Sequence, residues 1–477
     1  MSKKLFVGGD LSGIQKFIYN ISSKKAAVSL RGRSSSVAEY MENVYQKLKG
    51  SIGQIQEIYH SGGKFYFIAD DTEENRRIIN DISKEENKYL WQEHYGILSI
   101  NIAFVSFDEE NPNGDKKTIG KLFSSITQEF NKLKQKKFKD LLLEDYNSFF
   151  EVQKIDADLR VCDVTGIESK HLVGIDGELH VLPSVKEQIE KGEELKKVEE
   201  FKNFSDYAKG SYFGVLRMDV DGLGKRFADG FDSWSEYSEF SNRLMVFFES
   251  KVIESRVKKI LDKEYVGLMY AGGDDIFAVG RWDKVIDFAE KVHSEVDKEF
   301  AKEGIHISGG IVIGDDKFPI AKYAELSAEA EEKAKKYEKD GELKKNAFTM
   351  FNETISWEND FAYVKEYKNK FCELITQEGM SKSILHQLMM YYEKVKENKE
   401  NKDKNKAKDY SYIWHTAYYL TRYMERYDKN SKIKEFCREL RDKELFKGKN
   451  DENFRLIAIS CRWAELLLKD KEKQNKK

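Results

Sequence analysis

The sequence predicts an α+β fold: two ferredoxin-like βαββαβ domains in pseudo-twofold arrangement, a small linker domain between them, and an all-α C-terminal domain. Three observations carry this expectation. "GGDLSGIQKFI" from Gly8 and "RMDVDGLGKRF" from Arg217 each put an Asp at a strand end, then a Gly-containing turn, then a helix start. Asp10 precedes the glycine pair at Gly62 by 52 residues, and Asp219 precedes the pair at Gly272 by 53. Each pair is followed by a further strand-like run, "GILSINIAFVSF" from Gly96 and "GIHISGGIVIG" from Gly304. Landmarks recurring at matched offsets mark a duplicated βαββαβ unit whose central hairpin carries the glycine pair.

Helical runs fill the gaps. "SSSVAEYMENVYQKL" follows the first strand, and "SEYSEFSNRLMVFFESKVIESRVKKIL" occupies the same place in the second unit. The expected division is 1–155, first repeat; 156–205, linker; 206–357, second repeat; 358–477, helical domain. In the linker, poorly periodic sequence around Gly166, Gly174 and Gly177 reads as a small β-rich insert, and its charged end reads as a helix. In the C-terminal part, "YIWHTAYYLTRYM" places Ile413, Ala417, Leu420 and Met424 on one face, and "LIAISCRWAELLL" does so with Leu456, Ile459, Trp463 and Leu466. The intervening "KENKENKDKNKAKD" reads as a solvated loop.

Composition bounds the function. At 477 residues the chain exceeds one ordinary core, and its 30 Phe, 25 Tyr and 6 Trp supply ample apolar material. The 81 basic and 84 acidic residues nearly cancel, which argues against autonomous, non-specific nucleic-acid binding by the bulk surface but leaves room for a local groove. No apolar run reaches membrane-spanning length, and the N-terminus lacks a signal-peptide pattern. Cys162, Cys372, Cys437 and Cys461 show no metal or disulfide spacing, so a reducing cytoplasm is expected.

The chemistry concentrates in "LRMDVDGLG" and "YAGGDDIF". A strand ending in Asp219-Val220-Asp221 lies beside a hairpin tip offering Gly272-Gly273-Asp274-Asp275. Gly-Asp is common in tight turns, so the hairpin alone specifies nothing. With the upstream acids, however, three or four carboxylates converge, and such a cluster calls for cations. Two Mg²⁺ or Mn²⁺ ions held by Asp219, Val220, Asp274 and Asp275 would orient a triphosphate, activate a 3′-hydroxyl and stabilise leaving pyrophosphate. Asp219, Asp274 and Asp275 are the expected catalytic residues. Gly272 and Gly273 would let backbone approach phosphate. Lys335 or Lys336, on a charged helix, reads equally well as a triphosphate contact and as an exposed surface lysine, and Ser241 with Asn242 reads as a base contact or, somewhat better, as a polar pair on the helix surface. In the first repeat "YHSGGKFYFIAD" looks like the second hairpin with its acids struck out, Lys64 and Phe65 standing in place of Asp274 and Asp275. Gly62, Gly63 and Lys64 would still hold a nucleotide without doing chemistry on it.

"DLSGIQKFIY", "LRGRS", "SGGKF", "MDVDGLG", "AGGDD" and "SGGIVIGDDKFPI", in this order, resemble the polymerase-like large subunit of type III CRISPR effector complexes, the Csm/Cmr large subunit. The resemblance covers nearly the whole chain. It implies two palm domains that convert ATP into cyclic oligoadenylate when the complex binds target RNA, with metal ligands at Asp219, Asp274 and Asp275. It also implies partners: a small helical subunit, crRNA-binding backbone subunits, and crRNA and target RNA held through the complex. Many members begin with an HD-type nuclease domain. This sequence starts in the first palm and none of its eight His precedes an Asp, so no DNase activity is expected. Members often carry paired zinc-binding cysteines between the palms. Here Cys162, His171 and His180 cannot complete a four-ligand site, so no zinc is expected. Three alternatives stay open: a free-standing cyclase similar to diguanylate cyclases, adenylyl transfer onto S-adenosylmethionine, and a nucleotide-binding scaffold without catalysis. Product identity and ring size are not legible.

Overall fold

The computed structural model describes residues 3–19, 26–109, 112–144, 146–150, 160–161, 168–169, 204–229, 231–248, 256–339, 341–403, 410–428, 431–445 and 450–474. It divides into two compact units. The first comprises 1–209, 213–307 and 314–328; the second comprises 210–212, 308–313 and 329–477.

In the first unit, the first repeat runs β1 (Lys3–Ser12), α1 (Ile14–Tyr19), α2 (Ala26–Ile52), β2 (Gln56–Ser61), β3 (Lys64–Asp70), α3 (Glu73–His94), β4 (Ser99–Asp108) and α4 (Lys116–Gln135). Its sheet has the order β2-β3-β1-β4, with β1 antiparallel to both neighbours. Leu5, Phe6 and Val7 on β1 are fully buried, as a central strand covered on both faces requires. Thr72 caps α3 and Asp115 caps α4 by accepting from backbone N–H groups two or three residues on. Two short helices follow, α5 (Lys139–Glu144) and α6 (Tyr146–Phe150).

Of the linker, the pairs β5 (Arg160–Val161) and β6 (Glu168–Ser169), which pair antiparallel, and the last two residues, Phe204 and Ser205, are described. Cys162, His171, His180 and the expected linker helix lie outside the described residues.

The second repeat follows the same chain order: α7 (Phe204–Ala208), β7 (Phe213–Val220), α8 (Leu223–Asp229), α9 (Trp234–Phe248), α10 (Arg256–Lys259), β8 (Val266–Gly272), β9 (Asp275–Arg281) and α11 (Trp282–Phe300). Strand β9 lies between β7 and β8, antiparallel to both. Helix α9 joins the repeats. Trp234 packs on Phe6 at 5.6 Å, Tyr237 stacks on Phe123 at 5.0 Å, and the Trp234 N–H donates to the Asn113 carbonyl at 2.8 Å. Large rings suit such a seam because they bury much apolar area, and the main-chain bond from Trp234 fixes where the helix starts.

In the second unit, β10 (Ile307–Gly314) runs parallel to β13 (Ala347–Met350), which pairs antiparallel with β14 (Glu353–Ser356). Helix α12 (Ile320–Lys335) starts in the first unit, enters the second at Glu329, and leads to the small hairpin β11 (Glu338–Lys339) and β12 (Glu342–Leu343). The C-terminal part is helical: α13 (Asp360–Gln377), α14 (Ser383–Asp403), α15 (Ser411–Met424), α16 (Lys432–Glu439) and α17 (Asn450–Gln474). Leu456, Ile459, Trp463 and Leu466 are buried as expected.

Two expectations need correction. The buried stripe of α15 is Tyr412, Thr416, Leu420, Tyr423 and Met424, so Ile413 and Ala417 lie to one side of it. The tyrosines turn inward because their rings bring more apolar area and their hydroxyls find acceptors, Tyr412 at Asp451 (3.0 Å) and Tyr423 at the Ser381 carbonyl (3.2 Å). The expected charged loop is helical as far as Asp403. Lys and Glu are good helix formers, and Lys396 bridges Glu393 and Glu353.

Candidate active site

Strand β7 carries Asp219, and β9 begins at Asp275. The pairing register sets them directly opposite, with Gly272 of β8 on the other side of Asp275. Side chains directly opposite share a face, and period-two alternation adds Arg217 from β7 and Phe277 from β9. Tyr270 of β8 is registered with Phe277 and stacks on it at 5.6 Å. The connecting tip is the two-residue turn Gly273-Asp274. Gly273 has a φ of 65° and Asp274 has none in the positive range, the sign pattern of a type II′ hairpin. The Val220 N–H donates to the Asp274 carbonyl at 3.0 Å, and the Asp221 N–H to the His306 carbonyl at 2.8 Å. These bonds lock the end of β7 to the tip and to the segment before β10.

Asp275 is held from one side. Its Oδ2 accepts from the Tyr270 hydroxyl at 3.0 Å and from Arg217 Nη2 at 3.2 Å, whereas its Oδ1 is buried with no hydrogen-bond donor. Burial raises the Asp275 carboxyl above its ordinary range, against the pull of Arg217 and the Tyr270 hydrogen bond. Asp274 is pushed up to about 6, first by burial and then by the charge of Asp275, while Lys64 pulls the other way. Burial also drives the Tyr270 phenol well above its ordinary value, so it remains a donor.

The donors suit a hard cation: carboxylate oxygens, one of them buried and unsatisfied, with mutual repulsion that a cation would relieve. Among the described residues no three His, Cys, Asp or Glu side chains close on a single point as a finished metal cage. The site is therefore open, with Asp275 fixed and Asp274 at the tip.

The first repeat has the same geometry with different charges. Asp10 pairs with Lys64 as Asp219 pairs with Asp275, and Ser61 faces Lys64 as Gly272 faces Asp275. This corrects the correspondence read from the sequence. Lys64 occupies the place of Asp275, and Gly63 that of Asp274. Phe65 replaces no carboxylate; it is a fully buried core residue whose ring lies where a Cβ on Gly9 would be, 2.2 Å from it. The reason for the offset is that the first tip is Gly62-Gly63 while the second is Gly273-Asp274. Buried Asp10 has the Lys134 ammonium at 2.7 Å and Lys64 at 4.0 Å. Two ammonium groups thus stand around this acid.

The two tips meet. A Cβ on Gly62 would lie 3.2 Å from the Gly273 Cα. Lys64, on the first tip, is near enough to Asp274 to lower its pKa. The structure therefore brings together Asp219, Val220, Gly272, Gly273, Asp274, Asp275, Gly62, Gly63 and Lys64. Ser241 is buried in α9, and Asn242 next to it is exposed. Lys335 belongs to the second unit and is paired along its own helix with Glu331 at 3.1 Å. The sequence reading missed Arg217, Tyr270, Tyr19 and Lys134. Alternation along β7 and β8 would have flagged the first two.

A family model of the Csm1 subunit domain B matches residues 3–154, and one of the second palm domain of Cas10/Cmr2 matches residues 212–348. The matches fall in order on the two repeats and together span more than half of the chain. The chain belongs to the Cas10/Csm1 family of type III CRISPR effector large subunits. Two relatives are described as CRISPR system single-strand-specific deoxyribonuclease Cas10/Csm1 (subtype III-A). The one from Methanocaldococcus jannaschii is 25% identical over 78% of this chain and 61% of its own length. The one from Streptococcus thermophilus is 24% identical over 90% of this chain and 64% of its own length. The chain thus spans somewhat under two thirds of these Cas10/Csm1 relatives. Among solved structures, a Csm1-Csm4 cassette in complex with cA4 is similar with a TM-score of 0.64 and 18% identity, over 98% of this chain and 69% of that chain. The cassette in complex with pppApA gives 0.65 and 18%, over 96% and 69%. At this identity the likeness establishes a shared Cas10/Csm1 fold.

Proposed function

We propose that the chain is a nucleotidyltransferase that makes cyclic oligoadenylate from ATP as the large subunit of a type III effector. The carrying observation is the charge asymmetry between two abutting hairpin tips: Asp274 and Asp275 on one, Lys64 beside Asp10 on the other. One palm is built to hold cations and the other to hold a phosphate. Similar cassettes solved with one ATP, with pppApA and with cA4 support this reading.

Asp219, Asp274, Asp275 and the backbone of Val220 would hold Mg²⁺ or Mn²⁺. When bound, the ions supply activation of a 3′-hydroxyl and stabilisation of leaving pyrophosphate. Arg217 and Tyr270 fix Asp275. Lys64 offers a charge-assisted contact to the partner nucleotide, with Gly62 and Gly63 leaving backbone accessible beside it. The 3′-oxygen of one nucleotide then bonds to the α-phosphorus of the other as the bond to the bridging β-phosphate oxygen breaks. Ser241, buried in α9, is proposed as the contact to the base.

In this reading both repeats are ferredoxin-like and related by a pseudo-twofold axis. Its passage between Gly62 and Gly273 would place equivalent residues in mutual contact. The division 1–155, 156–205, 206–357 and 358–477 follows. The expected setting is cytoplasmic, with the small helical subunit, backbone subunits, crRNA and target RNA as partners; no described helix is long and apolar enough to cross a membrane. The test is α-labelled ATP with Mg²⁺ or Mn²⁺ and the chain in its assembly with cognate RNA. Labelled adenylate oligomers, lost on chelation, are expected. A product carrying one adenylate on another acceptor, or turnover indifferent to chelation, would overturn the proposal.

A further inference from the structure

Two tyrosine hydroxyls, one from each palm, form a chain that ends on a single carboxylate oxygen. The Tyr270 hydroxyl donates to Asp275 Oδ2 at 3.0 Å. The Tyr19 hydroxyl, at the end of α1 in the first palm, lies 2.9 Å from the Tyr270 oxygen. Tyr270 has one proton, and it goes to the carboxylate, so in this pair Tyr19 is the donor. Both rings pack on buried Phe277, Tyr19 at 5.2 Å and Tyr270 at 5.6 Å, which helps to hold the hydroxyls in place. Arg217 adds a second donor to the same Oδ2 at 3.2 Å. The opposite oxygen, Oδ1, is buried and has no hydrogen-bond donor.

This one-sided loading is how a carboxylate is oriented for a cation. Donors occupy one oxygen, and the other is left desolvated and unsatisfied until a cation binds. Hydrogen bonds in series strengthen one another, so the outer hydroxyl acts through the inner one. Neither Tyr19 nor Tyr270 needs to touch a nucleotide for this.

We propose that Tyr270, and Tyr19 acting through it, are positioning residues for Asp275, so that the first palm helps to build the cation site of the second. The proposal rests on the reading of Asp275 as a metal ligand. It gives the first palm a task besides holding a nucleotide: any displacement of α1 relative to the second hairpin breaks the Tyr19–Tyr270 bond and loosens the ligand.

The experiment measures Mn²⁺ binding to the full chain by electron paramagnetic resonance, without nucleotide, alongside thermal unfolding. Variants are Tyr270→Phe, Tyr19→Phe, the double variant and Asp275→Asn. Removing only a hydroxyl keeps the rings on Phe277, so unfolding should change little. Tyr270→Phe should weaken Mn²⁺ by about tenfold, within the range seen for outer partners of metal ligands. Tyr19→Phe should weaken it less, and the double variant should match Tyr270→Phe alone, because Tyr19 acts on Asp275 through Tyr270. Unchanged Mn²⁺ affinity in Tyr270→Phe, while Asp275→Asn abolishes binding, overturns the positioning role alone. Losses that add fully in the double variant also overturn it, since the two hydroxyls would then act separately. Unchanged binding in Asp275→Asn overturns the metal-ligand reading beneath it.

Discussion

Gly62 and Gly273 meet backbone to backbone: a Cβ on the first would stand 3.2 Å from the Cα of the second, and a Cβ on the second 3.5 Å from the Cα of the first. Both residues take positive φ, 60° and 65°. The glycines at the tips thus serve the contact between palms as well as any approach to phosphate.

Gly62→Ala should therefore cost about 1–2 kcal/mol of stability from the left-handed backbone alone. Gly62→Val should cost more and also displace Asp274, lowering nucleotidyl transfer. Denaturant unfolding with an activity assay checks both. Wild-type stability in Gly62→Val would mean the tips do not meet in solution.

Lys64→Ala should weaken ATP binding by about 1–2 kcal/mol, the usual cost of a charge-assisted hydrogen bond. Asp10 keeps Lys134 at 2.7 Å, so the fold should survive. Calorimetric titration with ATP reads the change, and equal affinity in the variant speaks against Lys64 as a phosphate contact. The same substitution removes the charge that lowers Asp274, so its carboxyl should move further up.

Asp274 sets a pH dependence. Its carboxyl is raised from an ordinary 3.8 to about 6 in the metal-free chain, so the folded state holds this proton more tightly than the unfolded state. Ionisation then opposes folding: the penalty is absent below pH 3.8, grows between there and about 6, and is complete above. Asp274→Asn should stabilise the metal-free chain at about pH 8 and have little effect near pH 4. A cation needs the ionised form, so Mn²⁺ affinity should fall as pH drops through about 6. Affinity that stays flat across that range would contradict the assignment.

Much of this was legible in the sequence. Each repeat announces itself by an Asp at a strand end and a glycine pair some fifty residues on, because a hairpin tip and a strand terminus impose residue types locally. Aligning glycine with glycine shifts the match between the two hairpins by one position, since it ignores which residues turn and which pair. Strand pairing, not string identity, decides that Lys64 replaces Asp275. Arg217 and Tyr270 were within reach of an alternation argument. Lys134 and Tyr19 were not, because helices distant in sequence deliver them, and only the packed fold shows where their long side chains end.

The second palm is proposed to transfer nucleotides through its tip carboxylates. The most direct test is product formation from α-labelled ATP by the assembled complex with cognate RNA, comparing wild type with the variant in which Asp274 and Asp275 are both Ala. The variant should fold and assemble but lose product by on the order of 10³-fold or more, the scale expected when metal-borne charge stabilisation is removed. Full turnover by the double variant would contradict it.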